Sequence, residues 1–97
     1  MYVGIGILEL SLPTAHDLKS KRRVVRSLVE RLHARHRISA AETGAHDSWQ
    51  HAEIGVAVVA VSEQEAQRLL DVVLDTADAG TESYVMNWSP QILEEQP

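Results

Sequence analysis

Apolar residues recur at every second position at the start of the chain. Between residues 2 and 12 they occupy both sides of this alternation, so that one face carries Leu8, Leu10 and Leu12 and the other carries Val3, Ile5 and Ile7. A period of two is that of a β-strand, in which successive side chains point to opposite faces. Residues 2–12 are therefore predicted to form a strand with two apolar faces, which stops at Pro13.

The period changes to that of an α-helix in two later stretches. The first helix is predicted over residues 18–36, capped by the carboxylate of Asp17, with a buried stripe made of Leu18, Val25, Leu28, Val29 and Leu32. The second is predicted over residues 63–78, where Ser62 and Glu65 form a capping box and Gly80 is expected to end the helix in the left-handed conformation.

Three further strands complete the pattern. Residues 38–43 and 51–61 flank a polar loop over residues 44–50 and predict a hairpin whose second strand is apolar on both faces. Residues 82–88 alternate again, with Tyr84, Met86 and Trp88 on one face, and Pro90 is predicted to end this strand. The sequence thus predicts a single domain over residues 1–89, followed by an acidic, loosely held C-terminal tail over residues 90–97.

The element order β-α-β-β-α-β predicts an α+β fold. With right-handed crossovers it gives a ferredoxin-like sandwich, a four-stranded antiparallel sheet with both helices on one face and the first and third strands in the centre. The other face of the sheet would expose Val3, Ile5 and Ile7, and an apolar patch of this kind usually marks an interface. We therefore expect a homodimer or larger assembly through the open sheet face, the alternative being that a loop or the tail covers it.

Composition excludes some chemistry. The chain of 97 residues contains no Cys, and therefore no disulfide or thiolate metal site. No apolar run reaches the roughly 18 residues that a membrane span requires, so we expect a cytoplasmic protein without a membrane partner. The net charge is −5, yet eight of the nine Lys and Arg residues lie between Lys19 and Arg37. The segment 16–37 carries a net charge of +6 and the rest of the chain −11.

The basic residues of the first helix are the main functional candidates. Four of them, Lys19, Lys21, Arg22 and Arg23, lie in its first turns, where the helix dipole favours anions, and several of the basic residues form like-charge pairs at i,i+4. One interpretation is that an RNA phosphate backbone is bound by Lys19, Lys21, Arg22, Arg23 and Arg26. The alternative is that they pair internally with the acidic flank of the second helix, namely Asp71, Asp75 and Asp78. The third strand lacks the aromatic residues of an RNA-recognition motif, which restricts the expected contacts to backbone and shape.

The loop between the second and third strands is a weaker candidate. His46, Asp47 and His51 could ligate a metal or share a proton, although no wider motif supports them. The favoured alternative is structural: Asp47 bonds loop amides and Trp49 closes the edge of the core. We therefore expect no catalytic site, no metal and no cofactor, and a protein that is not an enzyme.

Three stretches of the chain together carry a family resemblance. They are the opening residues 1–4 with Leu12-Pro13, the basic segment 18–24 followed by Ser27-Leu28, and a hairpin signature made of Glu42, Gly44, Asp47, Trp49-Gln50, Ala52 and residues 55–59. In this combination the chain resembles the YlxP-like family, a bacterial domain-of-unknown-function family, over about residues 1–89. It departs from the family pattern at Ser20, where an acidic residue is common, and at His51, where Arg is common.

The resemblance implies a ferredoxin-like domain with no assigned activity. It also implies a setting near translation, since genes of this family often lie beside those of translation initiation and ribosome maturation factors. The sequence therefore leads to the hypothesis of a non-enzymatic protein that associates with RNA or the ribosome through its basic first helix. The alternative is a homo-oligomeric interaction or scaffold domain that uses the open sheet face, with the basic helix paired internally.

Overall fold

A computed structural model describes all of residues 1–97. Along the chain, its elements are β1 (Tyr2–Ser11), α1 (Leu18–His36), β2 (Ser39–Gly44), β3 (His51–Ala60), α2 (Glu63–Asp78) and β4 (Tyr84–Glu94). The four strands form one antiparallel sheet in the order β2-β3-β1-β4. The predicted element order, the central position of β1 and β3, and the bounds of both helices are confirmed.

The core lies between the two helices and one face of the sheet. That sheet face contributes Leu8 and Leu10 from β1 and every second residue of β3, and the helices contribute Leu28, Leu32, Leu70 and Val73. All of these side chains are buried because the alternation of the strands and the stripe of each helix point at the same layer.

The opposite face of the sheet has no covering layer. Ile5, Ile7, Val59 and Leu93 all remain exposed there, and Val59 keeps 70 % of its surface. These residues lie on three neighbouring strands, because Ile5 and Ile7 belong to β1 between β3 and β4. The predicted exposed apolar patch is therefore present, and neither a loop nor the chain end covers it.

The prediction that Pro90 ends the last strand is wrong. β4 continues to Glu94, and Met1 and Glu95 exchange backbone hydrogen bonds at 2.8 Å in both directions. In an antiparallel strand, the N–H and C=O groups of successive residues point alternately to the paired strand and to the outer side. The backbone nitrogen of Pro90 lies on the side that faces away from β1. A proline there breaks no bond of the ladder, which is why an edge strand tolerates it. Residues 90–94 are consequently part of the sheet and not a loose tail.

The faces predicted for β4 are also partly wrong. The register shifts between Glu9, which pairs with Asn87, and Leu10, which pairs with Val85, so Met86 forms a β-bulge in β4. The extra residue reverses the alternation, so that Trp88 packs against the core whereas Tyr84 and Met86 are exposed. The sequence alternates without interruption through this stretch, and for that reason the pattern placed all three on one face.

The beginnings of the helices follow their sequence signals. Asp17 caps α1, where its carboxylate accepts the Ser20 amide and hydroxyl, both at 2.7 Å. The Ser20 hydroxyl also accepts the amide of His16 at 3.3 Å, so Ser20 itself bonds in both directions at this cap. Ser62 caps α2 by accepting the amide of Glu65 at 3.1 Å. The reciprocal half of the predicted capping box is absent, because the Glu65 carboxylate bonds Arg68.

The ends of the helices differ from the prediction. Gly80 does not take the left-handed conformation, since no glycine in the chain has a positive φ and α2 ends at Ala79 with a right-handed turn. The left-handed end occurs in α1, at Arg37, with a φ of 56°. There the amides of Arg37 and Ile38 bond the carbonyls of His33 and Leu32, each at 3.1 Å, which satisfies the last turn of the helix.

Candidate nucleic-acid interface

The exposed side of α1 carries a cluster of cations that have few partners within the protein. Lys19, Arg22 and Arg26 are exposed and form no ion pair, although they lie within two turns of one another. The first turn of α1 contains no acidic residue that would offset them. The unfavourable charge placement predicted from the sequence is therefore a property of the folded protein.

Arg23 belongs to the same surface but is already engaged. Its guanidinium donates two hydrogen bonds, at 3.0 and 2.8 Å, to the carboxylate of Glu82 in the segment before β4. This contact holds the pKa of Glu82 below its ordinary value, because the hydrogen bond from Arg23 favours the ionised carboxylate. Both side chains are largely exposed, so the pair is accessible to an anion that would compete with Glu82. We call Lys19, Arg22, Arg23 and Arg26 the basic surface.

Lys21 does not belong to the basic surface, which corrects its assignment as a phosphate ligand. Only 1 % of the side chain is exposed. Its ammonium donates to the carbonyls of Ala45 and Ser48, at 2.6 and 2.7 Å, and lies 2.9 Å from Glu42 Oε2. A buried charge in this position is held by two carbonyls and a carboxylate of the protein, and an RNA phosphate cannot reach it.

The acidic flank of α2 does not neutralise α1. Asp71, Asp75 and Asp78 form no ion pair with any residue of the first helix, and Asp71 accepts a hydrogen bond from Gln67 of its own helix. The expected internal pairing with these three residues is therefore wrong. The internal partners of α1 are Glu42 and Glu82, and they account for only Lys21 and Arg23.

The basic surface lines a shallow groove on the domain. The groove has a volume of about 840 Å³ and no hydrophobic residue in its lining, which consists of His16, Asp17, Lys19, Ser20, Arg22, Arg23, Arg26, Ser27 and Glu30. Lys19, Arg22 and Arg26 share a helical stripe with His33, whose Nε2 accepts the amide of Ala40 on β2 at 3.1 Å. This stripe consequently lies toward the outer edge of the sheet at β2.

The loop between β2 and β3 meets the start of α1 through Lys21. Ala45 has a φ of 56°, a strained conformation for a residue with a Cβ, and its carbonyl accepts both the Lys21 ammonium and the amide of Ser48. The loop is therefore shaped by Lys21, and the predicted role of Asp47 is not observed, since its side chain is exposed. At helical spacing Lys21 lies four residues before the buried Val25, which is the sequence signal for its burial.

Trp49 does not close the edge of the core, contrary to the structural interpretation of this loop. Its side chain is 52 % exposed and stands outside the core cluster. His46, Asp47 and His51 are also exposed, and the structure contains no group of three His, Cys, Asp or Glu side chains arranged to hold a metal ion. The ring of His46 lies 3.3 Å from the carbonyl of Glu42. The geometry thus brings these three residues into no common site.

The fold places the chain in the ferredoxin-like class. A solved structure of a de novo designed protein with a ferredoxin fold, determined by NMR in solution, superposes with a TM-score of 0.51. The superposition covers 98 % of this chain and 87 % of the designed one at 12 % sequence identity, a level at which the likeness concerns the fold alone. No helix of the structure combines the length and the apolar character needed to cross a membrane.

The sequence relationship is more specific than the fold. Residues 3–89 match the family described as "Protein of unknown function (DUF503)". The chain is also 30 % identical over 77 residues to a protein of Bacillus subtilis (strain 168) named "Uncharacterized protein YlxP". The aligned segment covers 79 % of this chain and 84 % of the relative. The chain therefore belongs to the DUF503 family, which confirms the resemblance to YlxP-like proteins.

Proposed function

We propose that this protein is a non-enzymatic RNA-binding protein, associated with structured RNA or a ribosomal subunit, that contacts the phosphate backbone through the basic surface of α1. The observation that carries the proposal is the presence of three exposed cations, Lys19, Arg22 and Arg26, that have no acidic partner in the folded protein. Their mutual repulsion is reduced when phosphate groups bind beside them.

The distribution of charge supports a polyanion as the partner. The chain carries 14 acidic residues, of which only Asp17 and Glu30 lie in the segment 16–37 and only Glu82 pairs with the basic surface. The carboxylate of Asp17 is turned to Ser20, whose amide and hydroxyl lower its pKa. A polyanion is therefore repelled by most of the protein and attracted to one helix, which orients its approach.

The chemistry of the surface favours backbone contacts. Arg22 and Arg26 present planar guanidinium groups that can each donate two hydrogen bonds to a phosphate, and Lys19 adds a point charge. Contacts of this kind position a protein on RNA without reading its sequence. The family resemblance, with its gene setting near translation factors, is consistent with an RNA of the translation apparatus as the partner.

The test is binding to purified ribosomal subunits and to a structured RNA over a series of salt concentrations. We expect affinity to fall steeply with salt, and Arg22→Gln and Arg26→Gln each to reduce the slope of log K against log salt by about 0.7–0.9, because each removes one released counterion. Arg68→Gln is the matched control, since Arg68 is exposed on α2 and paired with Glu65. Binding that is insensitive to salt, or equal losses in all three variants, would refute the proposal.

The open sheet face supports a second candidate function, which is self-association of the domain. Ile5, Ile7, Val59 and Leu93 form an exposed apolar patch, and the small residues Ala57 and Gly55, which pair with Ile5 and Ile7, leave room for a flat contact. Pro90 removes a donor from the outer edge of β4, which disfavours joining two sheets edge to edge. A second copy packed face to face is the arrangement that this surface favours.

Light scattering on a purified sample measures this candidate directly. We expect a dimer mass for the wild type and a monomer mass for Ile7→Glu, because a carboxylate in the centre of the interface stays unpaired. Gln67→Glu, an equal change of charge on the exposed side of α2, is expected to leave the mass unchanged. A monomer at all concentrations in the wild type would exclude self-association as the function of this face.

A further inference from the structure

Trp49 is an exposed tryptophan in a chain that contains few aromatic residues. The sequence has two Trp, two Tyr and no Phe, and Trp88 packs against the core. Trp49 stands instead in the loop between β2 and β3 with 52 % of its side chain exposed. Removing the surface of a large aromatic ring from water lowers the free energy, so a ring left in solvent is available to a partner.

The loop holds the backbone on both sides of this ring. On the preceding side, the carbonyl of Ser48 accepts a hydrogen bond from the Lys21 ammonium at 2.7 Å. On the following side, the carbonyl of Gln50 accepts the amide of Leu12 at 2.8 Å, and the Gln50 amide group donates to the carbonyl of Pro13 at 3.3 Å. A ring on a fixed backbone loses little conformational freedom on binding, which makes it a good contact residue.

The position of the ring relates it to the basic surface. Ser48, the residue before Trp49, is bonded to Lys21, and Arg22 is the next residue of α1. The stripe that contains Arg22 faces the edge of the sheet at β2, and the loop follows directly from the end of that strand at Gly44. The loop that carries the exposed Trp49 therefore contacts the second turn of α1, one residue from the unpaired Arg22.

We propose that Trp49 stacks on an unpaired base of the RNA whose phosphates bind the basic surface. This inference rests on the proposed function and specifies its substrate class, which is RNA with an unpaired loop, bulge or single-stranded segment. Every base offers a π-face, but in a duplex that face is covered by the neighbouring base pairs. Cations beside an aromatic ring are the combination that proteins use to hold single-stranded nucleic acid.

The experiment compares two RNA probes with the same number of phosphates, a hairpin with an unpaired loop and a fully paired duplex. We expect Trp49→Ala to weaken binding of the hairpin about tenfold and Trp49→Phe to retain most of the affinity, because stacking needs an aromatic ring. Binding of the duplex is expected to be the same in all three proteins. Tyr84→Ala is the matched control, since Tyr84 is also an exposed aromatic residue but lies on the open sheet face.

Tryptophan fluorescence supplies a second measurement on the same samples. The hairpin is expected to quench the emission of the wild type and to leave that of Trp49→Phe, which retains Trp88, unchanged. If Trp49→Ala binds the hairpin as tightly as the wild type, while Arg22→Gln and Arg26→Gln still weaken binding, the stacking inference alone is overturned. Absence of binding to both probes would overturn the proposed function together with it.

Discussion

The ammonium of Lys21 lies 2.9 Å from Glu42 Oε2 and forms an ion pair that joins α1 to β2 beneath the loop that follows β2. The carboxylate oxygen accepts no well-directed hydrogen bond, whereas the carbonyls of Ala45 and Ser48 each receive one from the same ammonium. The lysine is almost fully buried and the glutamate is one-fifth exposed. The buried ammonium therefore stabilises the loop through hydrogen bonds to two carbonyls and through charge attraction to the Glu42 carboxylate.

Removing this charge is predicted to destabilise the fold. We expect Lys21→Met to lower the free energy of unfolding by about 3 kcal/mol, since it leaves a partly buried carboxylate without its counter-charge and the Ser48 carbonyl without a donor. Urea unfolding followed by circular dichroism measures the change. Replacing Glu42 by Gln in the same variant is expected to restore part of the loss, because the uncompensated charge is removed.

Lys19→Met is the control for this variant. Lys19 is exposed and unpaired two residues earlier in the same helix, so we expect its substitution to change stability by less than about 0.5 kcal/mol. Equal effects of the two substitutions would show that the buried position of Lys21 contributes nothing.

Local signals in the sequence predicted the helices well. The caps Asp17 and Ser62 act on amides three residues ahead, so both the residue and its partner can be recognised in one short segment. The apolar residues on both faces of β1 and β3 likewise agree with the central position of these strands in the sheet. Features of this kind depend on neighbours along the chain, and the structure confirms them.

Features that depend on distant residues could not be predicted. The role of Lys21 requires Ala45 and Ser48, 24 and 27 residues away, to fold back onto α1. The continuation of β4 through Pro90 depends on which side of the strand pairs with β1, and the position of Trp88 depends on a bulge opposite Glu9 and Leu10. The sequence accordingly predicted that exposed basic residues lie on α1, but it wrongly included Lys21 among them.

Close packing between Gly6 and the ring of Trp88 gives a prediction for core stability. A Cβ at position 6 would overlap the six-membered ring of Trp88, which packs against the core from β4. We expect Gly6→Ala to lower the free energy of unfolding by about 1–3 kcal/mol, because the indole must move. Thermal unfolding together with the emission maximum of Trp88, measured in a Trp49→Phe background, reports both effects.

Gly80→Ala is expected to act in the opposite direction. The nearest atoms to a Cβ at that position are the Ala77 carbonyl oxygen at 3.4 Å and Ser83 Oγ at 3.6 Å, and the φ of Gly80 is not positive. Alanine fits there and restricts the unfolded chain, so stability is predicted to rise by about 0.4–1 kcal/mol. A loss of stability would instead indicate the left-handed helix end that the sequence suggested.

The end of α1 at Arg37 offers a stabilising substitution. A side chain in the left-handed conformation is strained, so Arg37→Gly is expected to raise the free energy of unfolding by about 0.5–1 kcal/mol. Arg35→Gly removes the same charge from a position inside the helix and is expected to cost about 1 kcal/mol. The urea midpoint is therefore predicted to rise in Arg37→Gly and to fall in Arg35→Gly. A lower midpoint in both variants would contradict the prediction.

The cap of α1 predicts a dependence of stability on pH. Hydrogen bonds from the Ser20 amide and then its hydroxyl lower the pKa of Asp17 in the folded protein. A lowered folded-state pKa stabilises the fold at pH values above the ordinary aspartate pKa of about 3.9, and this contribution is lost as the pH falls through the folded-state value. In urea unfolding, the stability difference between wild type and Asp17→Ala is therefore expected to be largest near pH 7 and to shrink below about pH 4.

The central position of β1 sets an order of events for a chain made from its N-terminus. β1 pairs along its length with β3 and with β4, and the residue opposite Tyr2 in β4 is Glu94. Helix α1 can form as soon as its own caps have been synthesised, whereas β1 has a partner on each side only when nearly the whole chain is available. One edge of β1 thus stays unpaired until β4 has been synthesised, and closure of β4 against that edge is expected to be the late step of folding.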